Sequence, residues 1–403
     1  MATSPLPTGK SYSVRKQRLL LIGGGHAHLF VLEALRKRQP AWRDQLEVSL
    51  VTRDLRTPYS GMLPGLIAGH YRCAEAHVDL QPLAAAAGVA LAQATVDRFD
   101  PVRRRAYAGG REWPFDMVSL DIGSTPPLAE VPGAATYALG VKPIEEFLGS
   151  WRDLQGRMDT LARPVHVVIA GGGAGGVEVA LAMAWRLAAW RHRVRWSLVT
   201  SGELLPGYPR RTARLAARHL ADAGIGLKTG AAVSAVEEGK LYFADGSGAG
   251  FDGLVWATGA APQPWVAASG LSCSDDGFVL INRQLQSVSH PHVFAAGDIA
   301  SSQQDYRPKA GVFAVRQGPV LADNLLRYAS GQRLSAYRPQ RDYLSLISTG
   351  RRHAIANWHG LAFEGDWVWR LKDRIDMRFI ERFSIPSGSV RPESGQGQAQ
   401  RRR

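Results

Sequence analysis

Cysteine is nearly absent: the 403-residue chain holds only two. They are Cys73 and Cys273, too few for a disulfide framework and too far apart for a Cys-x-x-Cys redox pair. Apolar runs of about eighteen residues are missing too, so nothing reads as a membrane span. The opening stretch, 1–17, is polar with Pro5, Pro7 and Gly9, lacks the apolar core of a secretory leader, and reads as a disordered tail. Acids are the scarcer charge, 35 against 49 Lys and Arg, leaving a net charge of +14. That balance suits anionic cofactors, an anionic membrane surface or nucleic acid. No helix-turn-helix, zinc-finger or RNA-binding aromatic signature accompanies it, which turns the reading away from nucleic acid. The scarcity of cysteine suits a reducing, cytoplasmic setting.

Glycine is plentiful and clustered. Gly23-Gly24-Gly25-His26-Ala27-His28 follows the apolar run Leu19-Leu20-Leu21-Ile22. Gly171-Gly172-Gly173-Ala174-Gly175-Gly176 follows Val165-His166-Val167-Val168-Ile169-Ala170. Each turn is succeeded by helical spacing, Leu29, Leu32 and Leu35 after the first, and Val177, Leu181 and Ala184 after the second. A glycine turn between a buried strand and a helix lets backbone approach a pyrophosphate held at the helix N-terminus. Two such turns on one chain predict two dinucleotides meeting face to face, an arrangement suited to hydride transfer.

The first unit runs on through a strand at Glu47–Thr52, with others near Val89–Ala92 and Met117–Asp121. A second strand-turn-helix begins at Pro164, continues with Val194–Thr200 and closes on Gly253–Gly259. Strands alternating with helical patterns predict parallel sheets covered on both faces. Val293-Phe294-Ala295-Ala296-Gly297-Asp298 reads as a strand returning to the first sheet, which makes the first domain discontinuous. The last segment ends on a helical pattern. Leu371, Ile375, Phe379 and Phe383 recur every four residues, with Val368 beside them and Arg370, Arg374 and Arg378 on another face.

The order of these pieces resembles the two-dinucleotide-binding flavoprotein (pyridine nucleotide-disulfide oxidoreductase) superfamily: a glycine turn, a second glycine turn, Ala257-Thr258-Gly259, then Phe294–Asp298. Within it the chain is most similar to the branch of type II NADH dehydrogenases and sulfide:quinone oxidoreductases. Gly24–His28, Thr57–Gly65 and Lys309–Gly318 also resemble the FAD oxidoreductase module that some organisms fuse to selenide, water dikinase. No kinase module follows, so this would be its stand-alone form. The resemblance implies an α/β fold of two Rossmann-like domains, the NAD(P) domain inserted into a discontinuous FAD domain, plus a small C-terminal α+β unit. The expected boundaries are 18–161 and 279–335 for FAD, 162–278 for NAD(P), 336–385 for the C-terminal unit and 386–403 for a disordered tail.

It also implies an FAD-dependent NAD(P)H oxidoreductase, of the kind without a catalytic disulfide, passing electrons to a quinone or similar acceptor. The alternative is a flavin-bearing partner of a selenide, water dikinase. Gly23, Gly25 and His26 would lie at the FAD pyrophosphate, with Arg53 nearby and Asp298, after Gly297, on the ribityl or phosphate part. Phe313 and Ala314 open the flavin-facing helix. Gly171, Gly173, Gly176 and Gly259 would serve NADH or NADPH, with Glu178 toward the nicotinamide.

Departures from that pattern are specific. His28 replaces the third glycine of the first turn. Thr52 and Thr200 stand where an acid should bond the ribose. Val312 and Arg316 replace glutamines on the quinone side, leaving Gln317, and neither cysteine matches the sulfide branch. His26 and His28 are expected to cap or pack rather than hold metal, since further ligands are missing. Cys73 is expected to be a partly buried, inert thiol. Arg316 and Lys309 are expected to place positive charge beside the flavin or, alternatively, to pair with an acid on the surface. The helix at 367–383 is expected to pack on its own core or a second subunit, or to make peripheral contact at the inner face of a membrane.

Overall fold

The computed structural model describes residues 15–160, 163–304, 308–340 and 342–385. Both expected tails therefore fall largely outside it, with one correction at the first. Gln17 already belongs to the opening strand, paired with Leu46.

Two five-stranded sheets dominate, and all their strands are parallel. The first runs Val293–Ala295, Met117–Leu120, Gln17–Ile22, Leu46–Thr52, Ala90–Gln93. The second runs Leu139–Gly140, Gly253–Trp256, Val165–Ala170, Val194–Val199, Ile225–Lys228. In each sheet the strand before a glycine turn sits centrally, so helix and cofactor edge emerge at the sheet's carboxyl end. Parallel strands need cover on both faces, which explains their continuous apolar runs. Six helices matter for the site: α1 His26–Lys37, α2 Ile144–Thr160, α3 Ala174–Arg186, α4 Arg210–Asp222, α5 Gly311–Ala329 and α6 Asp366–Phe383. Helices α1 and α5 lie in close contact, and a Cβ at Gly318 would sit 2.4 Å from the Phe30 ring.

The return of Val293–Ala295 beside Met117–Leu120 makes the first unit discontinuous, as expected. The other boundary differs. Leu139–Gly140 pairs with Gly253–Trp256 of the second sheet. Ile144, Phe147, Trp151, Leu154 and Met158 of α2 join the second core. The second unit thus recruits chain well ahead of residue 162, because α2 lays its apolar face on that sheet.

The C-terminal unit is an antiparallel sheet of Ser345–Ser348, Ala354–Trp358 and Leu361–Gly365, followed by α6. It bridges the halves. Ile347 and Ile355 enter the second core, whereas Phe379, Ile380 and Phe383 enter the first. Of the expected stripe Phe379 and Phe383 are buried, with Val368 beside them, but Leu371 is half-buried and Ile375 exposed, and Lys372 and Asp376 take the inner positions instead. Ile375 is 41% exposed. Side chains four apart advance about 40° per step around a helix of 3.6 residues per turn, so a four-residue repeat drifts off any one face. Arg370, Arg374 and Arg378 are exposed, as their spacing predicts.

Candidate functional site

A cleft of about 530 Å³ opens at the carboxyl end of the first sheet and reaches toward α3. Gly23, Gly25, His26, Arg53, Glu178, Gly297, Asp298 and Ala314 all line it. Residues from the first glycine turn, the second unit and the returning strand thus share one cavity. Gly171, Gly173 and Gly176 are not on its wall, though their neighbour Gly175 is. Phe313 and Gly259 also lie elsewhere. Phe313 lines an adjoining cavity, which shares Gly297, Asp298 and Lys309 with the cleft, and meets Tyr343 edge-on at 5.5 Å. Gly259 turns against Pro127, 3.4 Å from its Cβ position.

The two turns share a geometry. Gly23 has φ +90° and Gly171 φ +130°, values that L side chains rarely adopt. At Gly23 a Cβ would press on the Asp121 carbonyl, and at Gly171 on that of Ala257. Gly176 plays the third glycine's part, since its Cβ would lie 2.0 Å from the Gly171 carbonyl oxygen. In the first turn His28 takes that place and is wholly buried. Its Nδ1 bonds the Gly23 carbonyl at 2.6 Å and its Nε2 lies 2.8 Å from Ser119 Oγ. The imidazole staples turn to strand, which is the packing role expected of it, and burial holds its pKa down at about 4.

Asp121 is a residue the sequence reading passed over. Its carboxylate accepts the His28 amide at 2.9 Å at the start of α1. A Cβ at Gly25 would sit 2.3 Å from the carboxyl carbon, and one at Gly297 2.7 Å from Oδ1. Glycine at 25 therefore makes room for this acid as well as for a ligand. Burial drives the Asp121 pKa up to about 7 despite the amide contacts.

Lys142 was missed too. Its ammonium donates to Asp298 Oδ2 at 2.6 Å and to Ser124 Oγ at 3.2 Å. Burial alone would raise the Asp298 pKa, but Lys142 outweighs it and holds the group ionised. Gln317, the surviving glutamine, accepts the Gly297 amide at 2.7 Å and fixes the turn that presents Asp298. Arg316 is exposed on the outside of α5, which corrects the expectation of a flavin-facing charge. Lys309 does line the cleft, donating to the Ala300 carbonyl at 2.7 Å.

On the far wall, Glu178 is half-buried in the first turns of α3, its Oε1 accepting the Ser348 amide at 2.8 Å. Burial raises its pKa to about 7, with Lys372 opposing the rise. Lys372 pairs with Asp376 and donates to the Gly61 carbonyl, and both side chains are over nine-tenths buried. Tyr59 stacks on Phe379 at 4.3 Å, with the His26 ring 5.2 Å from Tyr59. Helix α6 thus places an ion pair behind Gly61 of the cleft wall, a contribution its surface pattern concealed. Cys73 is exposed, not partly buried. His77 Nδ1 lies 3.6 Å from its sulfur, yet burial and Glu145 raise the thiol's pKa, in keeping with an inert group.

Glycine faces that Cβ atoms would fill, the positive ends of α1 and α5, and Lys142 fit this cleft to an anionic dinucleotide. Fold and site together define a two-dinucleotide flavoprotein oxidoreductase. Residues 17–318 match the pyridine nucleotide-disulphide oxidoreductase family, and the chain belongs to it. It is an enzyme that uses FAD and NAD(P)H. The chain is 26% identical over 366 residues to demethylphylloquinone reductase NdbB of Synechocystis, spanning 87% of this chain and 89% of that protein. NADH dehydrogenase-like protein YutJ of Bacillus subtilis is 24% identical, spanning 80% and 87%. Among solved structures, the sulfide:quinone oxidoreductase of Aquifex aeolicus superposes with TM-score 0.76 at 18% identity, covering 92% and 93%. NDH2 of Plasmodium falciparum, in complex with NADH, does so with TM-score 0.75 at 13% identity, covering 91% and 98%. These two structures share the fold. The relatives give no support to a selenide, water dikinase pairing, which is carried no further.

Proposed function

We propose that this chain is an NAD(P)H:quinone oxidoreductase, converting NAD(P)H, a proton and a quinone to NAD(P)⁺ and a quinol. Bound FAD supplies the hydride acceptor and the outgoing electrons. Gly23, Gly25, Lys142, Asp298 and the start of α1 would hold it, and the Gly171–Gly176 turn would hold the nucleotide. No carboxylate ends the Val194–Val199 strand. Thr200 Oγ1 instead lies 2.5 Å from the Cβ position of Gly172. Without an acid there to repel a 2′-phosphate, NADH and NADPH are both accepted.

The observation that carries the quinone reading is the half-buried Glu178 beside the buried Lys372 and Asp376 pair. A quinone takes up protons along with electrons, and a carboxyl titrating near neutrality is suited to deliver one. The name of the demethylphylloquinone reductase relative supports the same acceptor. A quinone dissolved in a bilayer also gives meaning to the exposed Trp358, Leu361, Phe363 and Trp367, which would meet the membrane surface beside the arginines of α6. Among the described residues no helix is long and apolar enough to cross a membrane.

Glu178→Gln separates proton delivery from electron delivery. With a water-soluble quinone, turnover should fall about 10²-fold, the scale of one general acid. With ferricyanide, which takes electrons alone, it should change little. Equal loss with both acceptors contradicts the assignment.

A further inference from the structure

Outside the lining of the cleft, three metal-ligating side chains converge that the activity does not use. His219 lies in the last turn of α4, His353 immediately precedes the Ala354–Trp358 strand, and Glu364 lies on Leu361–Gly365. Their placement follows from register. Glu364 pairs across the sheet with Ile355, and His353, two residues before Ile355, shares its face. That face packs on α4, where Thr212, Ala216 and Leu220 are buried, and Thr212 Oγ1 meets Asn357. His219, seven residues beyond Thr212, lies two turns along the same side of α4 and so reaches the His353 end of the strand.

We propose that His219, His353 and Glu364 form a zinc-class divalent cation site that clamps the C-terminal sheet to the nucleotide-binding unit. One ring nitrogen from each histidine and a Glu364 oxygen lie within 4.8 Å of one another. His219 Nε2 is 2.8 Å from Glu364 Oε2, and the two rings are 4.9 Å apart. Donors about 2.0 Å from a tetrahedral zinc stand roughly 3.3 Å from each other, so modest rotamer shifts suffice. The protonation pattern fits. Thr349 Oγ1 donates its only proton to the His353 carbonyl at 3.1 Å, so at 3.0 Å from Nδ1 it accepts that ring's N–H. This leaves the His353 Nε2 lone pair free for a metal, the outer-shell arrangement that orients ligating histidines. Arg218 occupies Glu364 Oε1, leaving Oε2 for the ion. Three protein ligands leave one coordination position, and the adjoining cavity, also lined by His219 and Thr349, offers it water.

The other trio, Cys73, His77 and Glu145, is less suited. There a single histidine contributes, its Nδ1 bonded to the Cys73 carbonyl at 2.6 Å, so that trio offers one ring nitrogen where the His219 and His353 site offers two. The clamp would also bear on the cleft. Ser348, whose amide holds Glu178, is adjacent to Thr349, which orients His353. A cation here would brace the backbone that positions Glu178.

The test uses the full FAD-loaded chain, stripped of metal and titrated with Co²⁺ and with Zn²⁺. The site predicts one equivalent of Co²⁺ with the visible bands of a four-coordinate nitrogen and oxygen environment, displaced by Zn²⁺, and a higher Tm with Zn²⁺. His353→Gln and Glu364→Gln should each weaken both metals at least about 10-fold and remove the Tm gain. Cys73→Ser should leave them unchanged. Circular dichroism checks that the variants fold, and either one suffices should the other fail. The proposal is overturned if micromolar Co²⁺ gives no stoichiometric band, if both folded variants bind as the parent does, or if Cys73→Ser abolishes binding.

Discussion

His28 shows how one side chain substitutes for the absence of one. Where a third glycine would let helix and strand touch, the imidazole fills the gap and bonds the Gly23 carbonyl and Ser119. His28→Ala removes both bonds and leaves a cavity. It should cost about 2–4 kcal/mol of stability, read in urea unfolding. Asp121 makes a pH-dependent contribution of the opposite kind. Its folded value near 7 lies above that of a free carboxylate. From about pH 4 to pH 7 the folded chain therefore keeps a proton that the unfolded chain has released. Stability then falls as pH rises through that window and stays lower above it. Asp121→Asn is neutral throughout and still accepts the His28 amide. It should match the parent near pH 4 and melt several degrees higher near pH 8; a parallel pair of Tm curves contradicts this. Neither Asp121 nor Lys142 was legible in the sequence, because each reaches the cleft from a strand end or loop far along the chain. The glycines were legible because a backbone requirement is written locally.

Helix α6 was recognisable as amphipathic, and Val368, Phe379 and Phe383 of its expected inner face are buried, but Ile375 is not. A polar pair, Lys372 and Asp376, occupies the buried stripe, and hydrophobicity alone pointed to Ile375 instead. Buried charges are tolerated here because each is the other's partner and Gly61 takes a further proton of the ammonium. Two substitutions separate the faces. Val368→Glu puts an unpaired charge at a wholly buried position and should destabilise by several kcal/mol or prevent folding. Ile375→Glu should shift stability by less than about 0.5 kcal/mol while reducing co-sedimentation with anionic vesicles. A large Tm loss for Ile375→Glu would restore the four-residue stripe.

At the scale of the whole molecule, the two strand-turn-helix repeats and the returning strand made the two parallel sheets legible, though not their strand order. The start of the second unit was hidden, because α2 follows the first sheet in sequence but buries Phe147 and Trp151 in the second core. An amphipathic helix carries no label for the sheet it will cover. The C-terminal unit, in contact with both cores, holds Glu178 through Ser348 and the cleft residue Gly61 through Lys372, so the cleft depends on all three parts. What the fold brings together is the Gly23–Gly25 turn, Asp298 and Glu178 around one cavity. The direct test is anaerobic stopped-flow of the purified chain with NADH and then NADPH. The protein should be yellow, release one FAD per chain on denaturation, and be bleached by either nucleotide and recoloured by a quinone. A colourless protein that takes up no FAD, or bound flavin that neither nucleotide bleaches, contradicts a shared cleft for hydride transfer.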